Sequence, residues 1–309
     1  MKIAFHCNKL GLRGTYVATY DYALHNRNIL GNESIILVNK DSDMSTLAKF
    51  ESEFKVYKYN DFDIDVPTIV KKTECDAIYY LRSGEVDKTI DGITNLIHVV
   101  FHGNHKHGDK YVGISKWLGT RYNIPWVPHM VNLPNVPQAI NYKKTFNIQD
   151  KFVVGWYGGN NFDLQFARDV VIDVANKRDD IVFLFMNHDP FCNLDNVLFI
   201  NPIFDLNQKV AFINTFDILL HGRYRGETFG LTIAESSTCN KPVITYSESP
   251  ERNHIDTLGD KGFYYKNYDE LYSLLMYITK SDIENKDWNC YKEFTPENVM
   301  NKFKEVFLC

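Results

Sequence analysis

The sequence predicts an α/β protein built from two Rossmann-like, doubly wound parallel-sheet domains, and three observations lead there. Short apolar runs alternate with segments of helical spacing over the first third of the chain, which is the pattern of βαβ units. The alternation stops at a proline-dense stretch and then starts again. The length of 309 residues suits two domains at roughly 100 to 200 residues each, each able to bury its own core.

In the first half, residues 2–7 read as a strand, 15–30 as a helix stopped by Gly31, and 34–38 as the next strand. Further strands are expected at 54–59, at 76–81 after a helical stretch ending near Thr73, and at 96–101, with a short one at 111–115. Pro125, Pro128, Pro134 and Pro137 fall within thirteen residues, which forbids a long helix or a central strand there. That stretch is read as a connector, and the domains are set at 1–133 and 134–309.

The second half repeats the order. Strands are expected at 152–157, 181–186, 197–200, 218–221 and 242–246, and helices at 166–177, 206–214 and 231–239. Apolar residues at helical spacing over 296–308 predict a closing helix, assigned with the second domain.

Composition excludes several classes. A share of 44% hydrophobic and 24% charged residues provides ample core and no disordered tract. A formal net charge of -5 gives no field to attract a polyanion, so nucleic acid is not an expected partner and any phosphate must be met by local donors. The N-terminal apolar run is too short for a signal peptide or a membrane span, and a cytoplasmic location is expected. The six cysteines are scattered singly and read as reduced, mostly buried thiols.

The chemistry concentrates in His221-Gly222-Arg223-Tyr224-Arg225-Gly226-Glu227-Thr228-Phe229-Gly230-Leu231-Thr232-Ile233-Ala234-Glu235. A strand runs into a glycine-containing loop, and the loop opens a helix. Backbone N–H groups at Phe229, Gly230 and Leu231 and the positive helix end then form a place for a diphosphate. Glu235, inside the helix, suits the two vicinal hydroxyls of a ribose; a solvated helix glutamate is the alternative.

Glu227, seven intervening residues and Glu235, with Phe229-Gly230-Leu231 between them and Lys241-Pro242-Val243 after them, resemble the signature of retaining GT-B glycosyltransferases of family four. The resemblance extends to Val127-Pro128-His129-Met130-Val131 and to Val153-Val154-Gly155-Trp156-Tyr157-Gly158-Gly159. It implies a GT-B fold with two domains facing a central cleft and transfer from a nucleoside-diphosphate sugar with retention; a UDP- or GDP-linked donor and a metal-independent site are expected alongside. Glu227 would contact the transferred sugar, Thr228 to Leu231 would serve sugar and phosphates, and Glu235 would hold the ribose. His102 would contact the sugar from the facing domain, and Gly14, Gly158 and Gly159 would let backbone approach the donor.

The chain departs from the family where an arginine and a lysine usually follow the Gly158-Gly159 loop. Arg223 and Arg225 are the natural substitutes, since a planar guanidinium contacts phosphate oxygens bidentately. Gly11-Leu12-Arg13-Gly14-Thr15 lacks a Walker or dinucleotide spacing, so for Gly14 a tight turn is the alternative. His98, His102, His105 and His107 cluster without the fixed geometry of a metal site, and no metal or cofactor is expected. The expected acceptor is a glycan or a lipid- or protein-linked sugar, with peripheral contact to a membrane left open. The His102 and 11–14 loops are expected to face Glu227 and Gly230, with the connector and closing helix as hinge. A nucleotide-sugar epimerase and a catalytically silent sugar-nucleotide binding protein are the alternatives.

Overall fold

The computed structural model describes residues 1–11, 14–158 and 161–309. Two compact units divide the chain: Met1–Asn132 with Glu293–Cys309, and Leu133–Lys292. The C-terminal segment that the sequence grouped with the second domain therefore belongs to the first.

The first unit has six parallel strands: β1 Lys2–Cys7, β2 Glu33–Asn39, β3 Lys55–Tyr59, β4 Ala77–Arg82, β5 Thr94–Val99 and β6 Lys110–Gly113. Their spatial order, β3-β2-β1-β4-β5-β6, reverses direction between β1 and β4, as in a doubly wound sheet. Phe5 stands opposite Ile36 on one side and Tyr79 on the other. Ile3, Ala4, Phe5, Ile36, Leu37, Ile78 and Tyr79 are completely or almost completely buried, because helices cover both faces of such a sheet.

Helices Gly14–Asn28, Phe62–Lys72 and Lys116–Tyr122 follow β1, β3 and β6. Asp61 caps the second through the N–H groups of Asp63 and Ile64, and Ser115 caps the third through Leu118 N–H. The C-terminal helix Pro296–Phe303 ends in a wider turn, Lys304–Leu308. Its Phe303 ring lies 5.5 Å from Tyr22 and 5.7 Å from Tyr79, and Phe307 lies 5.3 Å from the His98 ring. This aromatic packing is what joins the segment to the first core. His98 is held by the Tyr79 hydroxyl at 2.7 Å and the Val127 carbonyl at 2.9 Å, and burial pushes its pKa down to about 4.

Two strands end earlier than the apolar runs imply. β5 stops at Val99 because the Phe101 N–H, and more weakly that of His102, turns to the Ser83 carbonyl instead of extending the ladder with β6. His102 thus stands in the following loop, three residues past the strand. The thiols also differ from expectation. All six are free, but only Cys7 is buried; Cys309 is exposed and the other four are half-buried.

The second unit has β7 Phe152–Trp156, β8 Ile181–Met186, β9 Val197–Ile200, β10 Ile218–His221, β11 Gly226–Glu227, β12 Val243–Tyr246, β13 Glu251–Arg252 and β14 Gly262–Tyr265. Six of them form a parallel sheet ordered β14-β12-β10-β7-β8-β9, while β11 and β13 pair separately. The order is that of the first sheet, with its reversal between β7 and β10. Helices Gln165–Ala175, Leu206–Thr215 and Leu231–Thr238 follow β7, β9 and β11. Among the described residues no helix is long and apolar enough to cross a membrane.

Candidate functional site

In an open α/β sheet, ligands bind beyond the carboxyl ends of the strands where the order reverses. In the second unit that place lies between β7, which leads into Tyr157-Gly158, and β10, which leads into Gly222-Arg223. Gly158 has φ +126°, and a Cβ added there would lie 2.7 Å from Thr232 Oγ1. Only glycine allows this loop to approach the Leu231–Thr238 helix so closely. Gly159 lies outside the described residues.

The helix itself begins at Gly230, with φ +88°, and no side chain caps it. Its first N–H groups thus have no capping side chain among the described residues, and the helix dipole makes that end positive. Phe229 is buried against Tyr291, and its carbonyl accepts from Asn253 Nδ2 at 3.2 Å. Thr228 is buried and Leu231 half-buried. β11 pairs Gly226 with Glu251 and Glu227 with Arg252, which fixes the backbone of the turn.

Glu227 has two cationic or donor neighbours. Arg223 Nη1 lies 2.9 Å from Oε1, and His221 Nε2 lies 3.4 Å from the same oxygen. Burial pushes the carboxyl pKa up, but the His221 hydrogen bond and the Arg223 charge outweigh it and hold the pKa at about 2. Behind it, His221 Nδ1 meets Thr245 Oγ1 at 2.9 Å, and His254 Nε2 meets the same oxygen at 3.1 Å. One consistent proton arrangement has His221 Nε2–H donating to Glu227 and the Thr245 hydroxyl donating to His221 Nδ1. Burial, with His221 beside it, brings the His254 pKa down to about 3.

Glu235 is not a solvated helix residue: it is 5% exposed. Its Oε1 lies 2.6 Å from Lys209 Nζ, and its Oε2 accepts from the Tyr157 hydroxyl at 3.0 Å. The sequence reading passed over Lys209, which sits in a helix of ordinary amphipathic pattern; the only signal was its place on the element after β9. Arg225 Nε donates to Glu251 Oε1 at 2.5 Å with the guanidinium half exposed, whereas Arg223 is mostly buried on Glu227. The structure thus gathers Gly158, Arg223, Glu227, Thr228, Phe229, Gly230, Leu231 and Glu235 at one edge of one sheet, and adds Lys209, Tyr157 and His221.

In the first unit, Gly14 is the first residue of its helix, so its backbone is helical and not a turn; Leu12 and Arg13 lie outside the described residues. His102 Nε2 lies 3.1 Å from Glu85 Oε1, and His105 Nδ1 lies 3.2 Å from Glu85 Oε2. Glu85, in the loop after β4, is thus a partner that the sequence reading missed. Asp-x-Asp triplets at 41–43 and 61–65 are taken up locally. Asp61 caps its helix, Asp65 accepts from the N–H of Asn60 and Asp61, Asp43 accepts from Ser45 N–H, and Asp63 pairs with Lys88. Among the described residues no three His, Cys, Asp or Glu side chains are arranged to hold a metal ion.

Residues 191–293 match the family Glycosyl transferases group 1, a span that includes Lys209 and the whole Arg223 to Glu235 motif. No curated protein sequence matches the chain. The chain is similar in structure to HepE of Anabaena in complex with UDP-glucose, at 15% identity and TM-score 0.70, covering 99% of this chain and 95% of that one. It is similar to TarM at 10% identity and TM-score 0.72, covering 100% and 99%. It is also similar to a putative UDP-N-acetylglucosamine 2-epimerase of Listeria monocytogenes, at 12% identity and TM-score 0.56, covering 97% and 94%. At these identities the likeness is one of fold, and the fold is GT-B. Together with the family match it supports a glycosyltransferase.

Proposed function

We propose that this protein transfers a sugar from a nucleoside-diphosphate sugar to an acceptor hydroxyl, with retention at the anomeric carbon and without a metal ion. The observation that carries this reading is the turn-and-helix unit that brings Glu227, the uncapped Gly230 end and Glu235 to the switch point of one sheet. The diphosphate meets the N–H groups of Phe229, Gly230 and Leu231, with Thr228 beside them and the Gly158 backbone against the nucleotide. Glu227 accepts from hydroxyls of the transferred sugar, and Glu235 accepts from the ribose.

The bond from the anomeric carbon to the diphosphate breaks, and the diphosphate leaves with the electron pair. The acceptor oxygen forms the new glycosidic bond, and its proton leaves with the departing diphosphate. Donors preorganised at the helix end stabilise charge on the leaving group, which supplies catalysis without a covalent nucleophile. We assign the diphosphate clamp to Arg223 or Arg225, and to His102 and Gly14 the sugar contacts implied by the family resemblance. The acceptor is a glycan or a lipid- or protein-linked sugar.

The likeness to a putative 2-epimerase favours one second reading, isomerisation of the donor. A thermal-shift screen of nucleotide sugars identifies the donor, because a ligand that binds only the folded state raises its stability. Incubation of that donor with and without candidate acceptors then separates the readings. Transfer to an acceptor upholds the glycosyltransferase, an isomerised free nucleotide sugar upholds the epimerase, and binding without either leaves a silent binding protein.

A further inference from the structure

Lys209 and Tyr157 come from two different elements and converge on one buried carboxylate. Lys209 Nζ lies 2.6 Å from Glu235 Oε1 and 5.6 Å from the Tyr157 ring centroid. The Tyr157 hydroxyl lies 3.0 Å from Glu235 Oε2 and also 3.0 Å from the Thr232 carbonyl. It has one proton, and the charged acceptor is the stronger partner. A buried ion pair contributes little net stability against apolar residues of similar volume, so packing alone does not account for this arrangement.

Its geometry is specific. A carboxylate offers about four lone-pair sites, two on each oxygen. Among the described residues one donor sits on Oε1 and one on Oε2, which pins the group's rotation and leaves one acceptor site on each oxygen. Two acceptors separated by the width of a carboxylate match the two hydroxyls of a vicinal cis-diol. We propose that Lys209 and Tyr157 are positioning residues that orient Glu235 for a ribose diol, and that together they set a preference for ribonucleotides over deoxyribonucleotides. The inference rests on the reading that Glu235 holds the ribose.

The test is calorimetric. UDP, GDP, ADP and CDP are titrated into the full-length protein, and the tightest is compared with its 2′-deoxy and 3′-deoxy analogues. The wild type is expected to prefer the ribonucleotide about tenfold or more, since hydrogen bonds to a charged group are lost with either hydroxyl. In Lys209→Met and Tyr157→Phe this preference falls at least about threefold, through weaker ribonucleotide binding, with the deoxy analogues nearly unchanged. Lys209→Arg, which keeps the cation, keeps the preference.

Equal weakening of ribo and deoxy forms in both variants marks a merely structural role and overturns the proposal, as does an unchanged preference. Where Lys209→Met fails to melt cooperatively, Tyr157→Phe and Lys209→Arg decide the matter alone. If Glu235→Ala erases the preference while Lys209→Met and Tyr157→Phe keep it, the ribose reading stands and the positioning inference falls. If none of the four nucleotides binds the wild type, both fall.

Discussion

Replacing Glu227 by glutamine removes one charge from a pair that the fold holds ionised, and the cost depends on pH in a calculable way. The Glu227 pKa falls from an ordinary 4.5 to about 2. At 1.36 kcal/mol per pH unit, that difference contributes about 3 kcal/mol of stability. A carboxyl with a depressed folded pKa stabilises fully above its unfolded value, so the contribution is lost from about pH 4.5 downward and is gone below about 2. Roughly 2 kcal/mol of it disappears between pH 6 and pH 3.

Glu227→Gln lacks this titration and leaves Arg223 without its counter-charge, so it is less stable than the wild type near neutrality. Its deficit then narrows by about 2 kcal/mol as the pH falls to 3. Urea denaturation followed by far-UV circular dichroism at several pH values measures this, comparing the same transition in both proteins because two units need not unfold together. A deficit that stays constant from pH 6 to pH 3 refutes the assigned environment of Glu227. The same depressed pKa predicts that Glu227 adds no acid limb to activity above about pH 4.

Three further outcomes follow from the site. Glu235→Ala weakens the nucleotide sugar by roughly 1.5 to 3 kcal/mol per lost hydrogen bond at most, while the protein still folds; unchanged affinity by calorimetry removes Glu235 from the donor site. Arg223→Lys keeps a charge but not the fork, so turnover falls at least about tenfold; full turnover in both Arg223→Ala and Arg225→Ala moves the diphosphate clamp elsewhere. Gly158→Ala is strained by φ +126° and by the 2.7 Å approach to Thr232 Oγ1, and lowers stability by about 1 to 3 kcal/mol in thermal melts; an unchanged melting temperature contradicts the loop conformation.

The strands of both sheets were legible because fully buried parallel strands read as unbroken apolar runs, as in Ile181–Met186. β14 was not, since it is a glycine and three aromatics at a sheet edge, half-buried except for Tyr265, so that burial imposes no run or alternation on it. Pairing of Gly226–Glu227 with Glu251–Arg252 joins two polar dipeptides far apart in sequence, which periodicity cannot reveal. The C-terminal segment was recognisable as a helix by its spacing, but the aromatic rings it meets, Tyr22, Tyr79 and His98, lie in the other half of the chain.

The motif from Arg223 to Glu235 was legible because its residues are contiguous. Its supports were not, because Lys209, Tyr157, Thr245 and His254 come from separate elements and meet only in three dimensions. Arg223 illustrates the same limit. Its fork suggested a phosphate ligand, but that its Nη1 also pairs with Glu227 four residues on became visible only in the fold.

The most direct test of the donor site is a crystal structure with the nucleoside diphosphate selected by the binding screen. The account predicts the β-phosphate against the N–H groups of Gly230 and Leu231, the ribose hydroxyls on Glu235, and the nucleotide beside the Gly158 loop. A nucleotide bound away from the edge between β7 and β10, or with its ribose turned from Glu235, contradicts it.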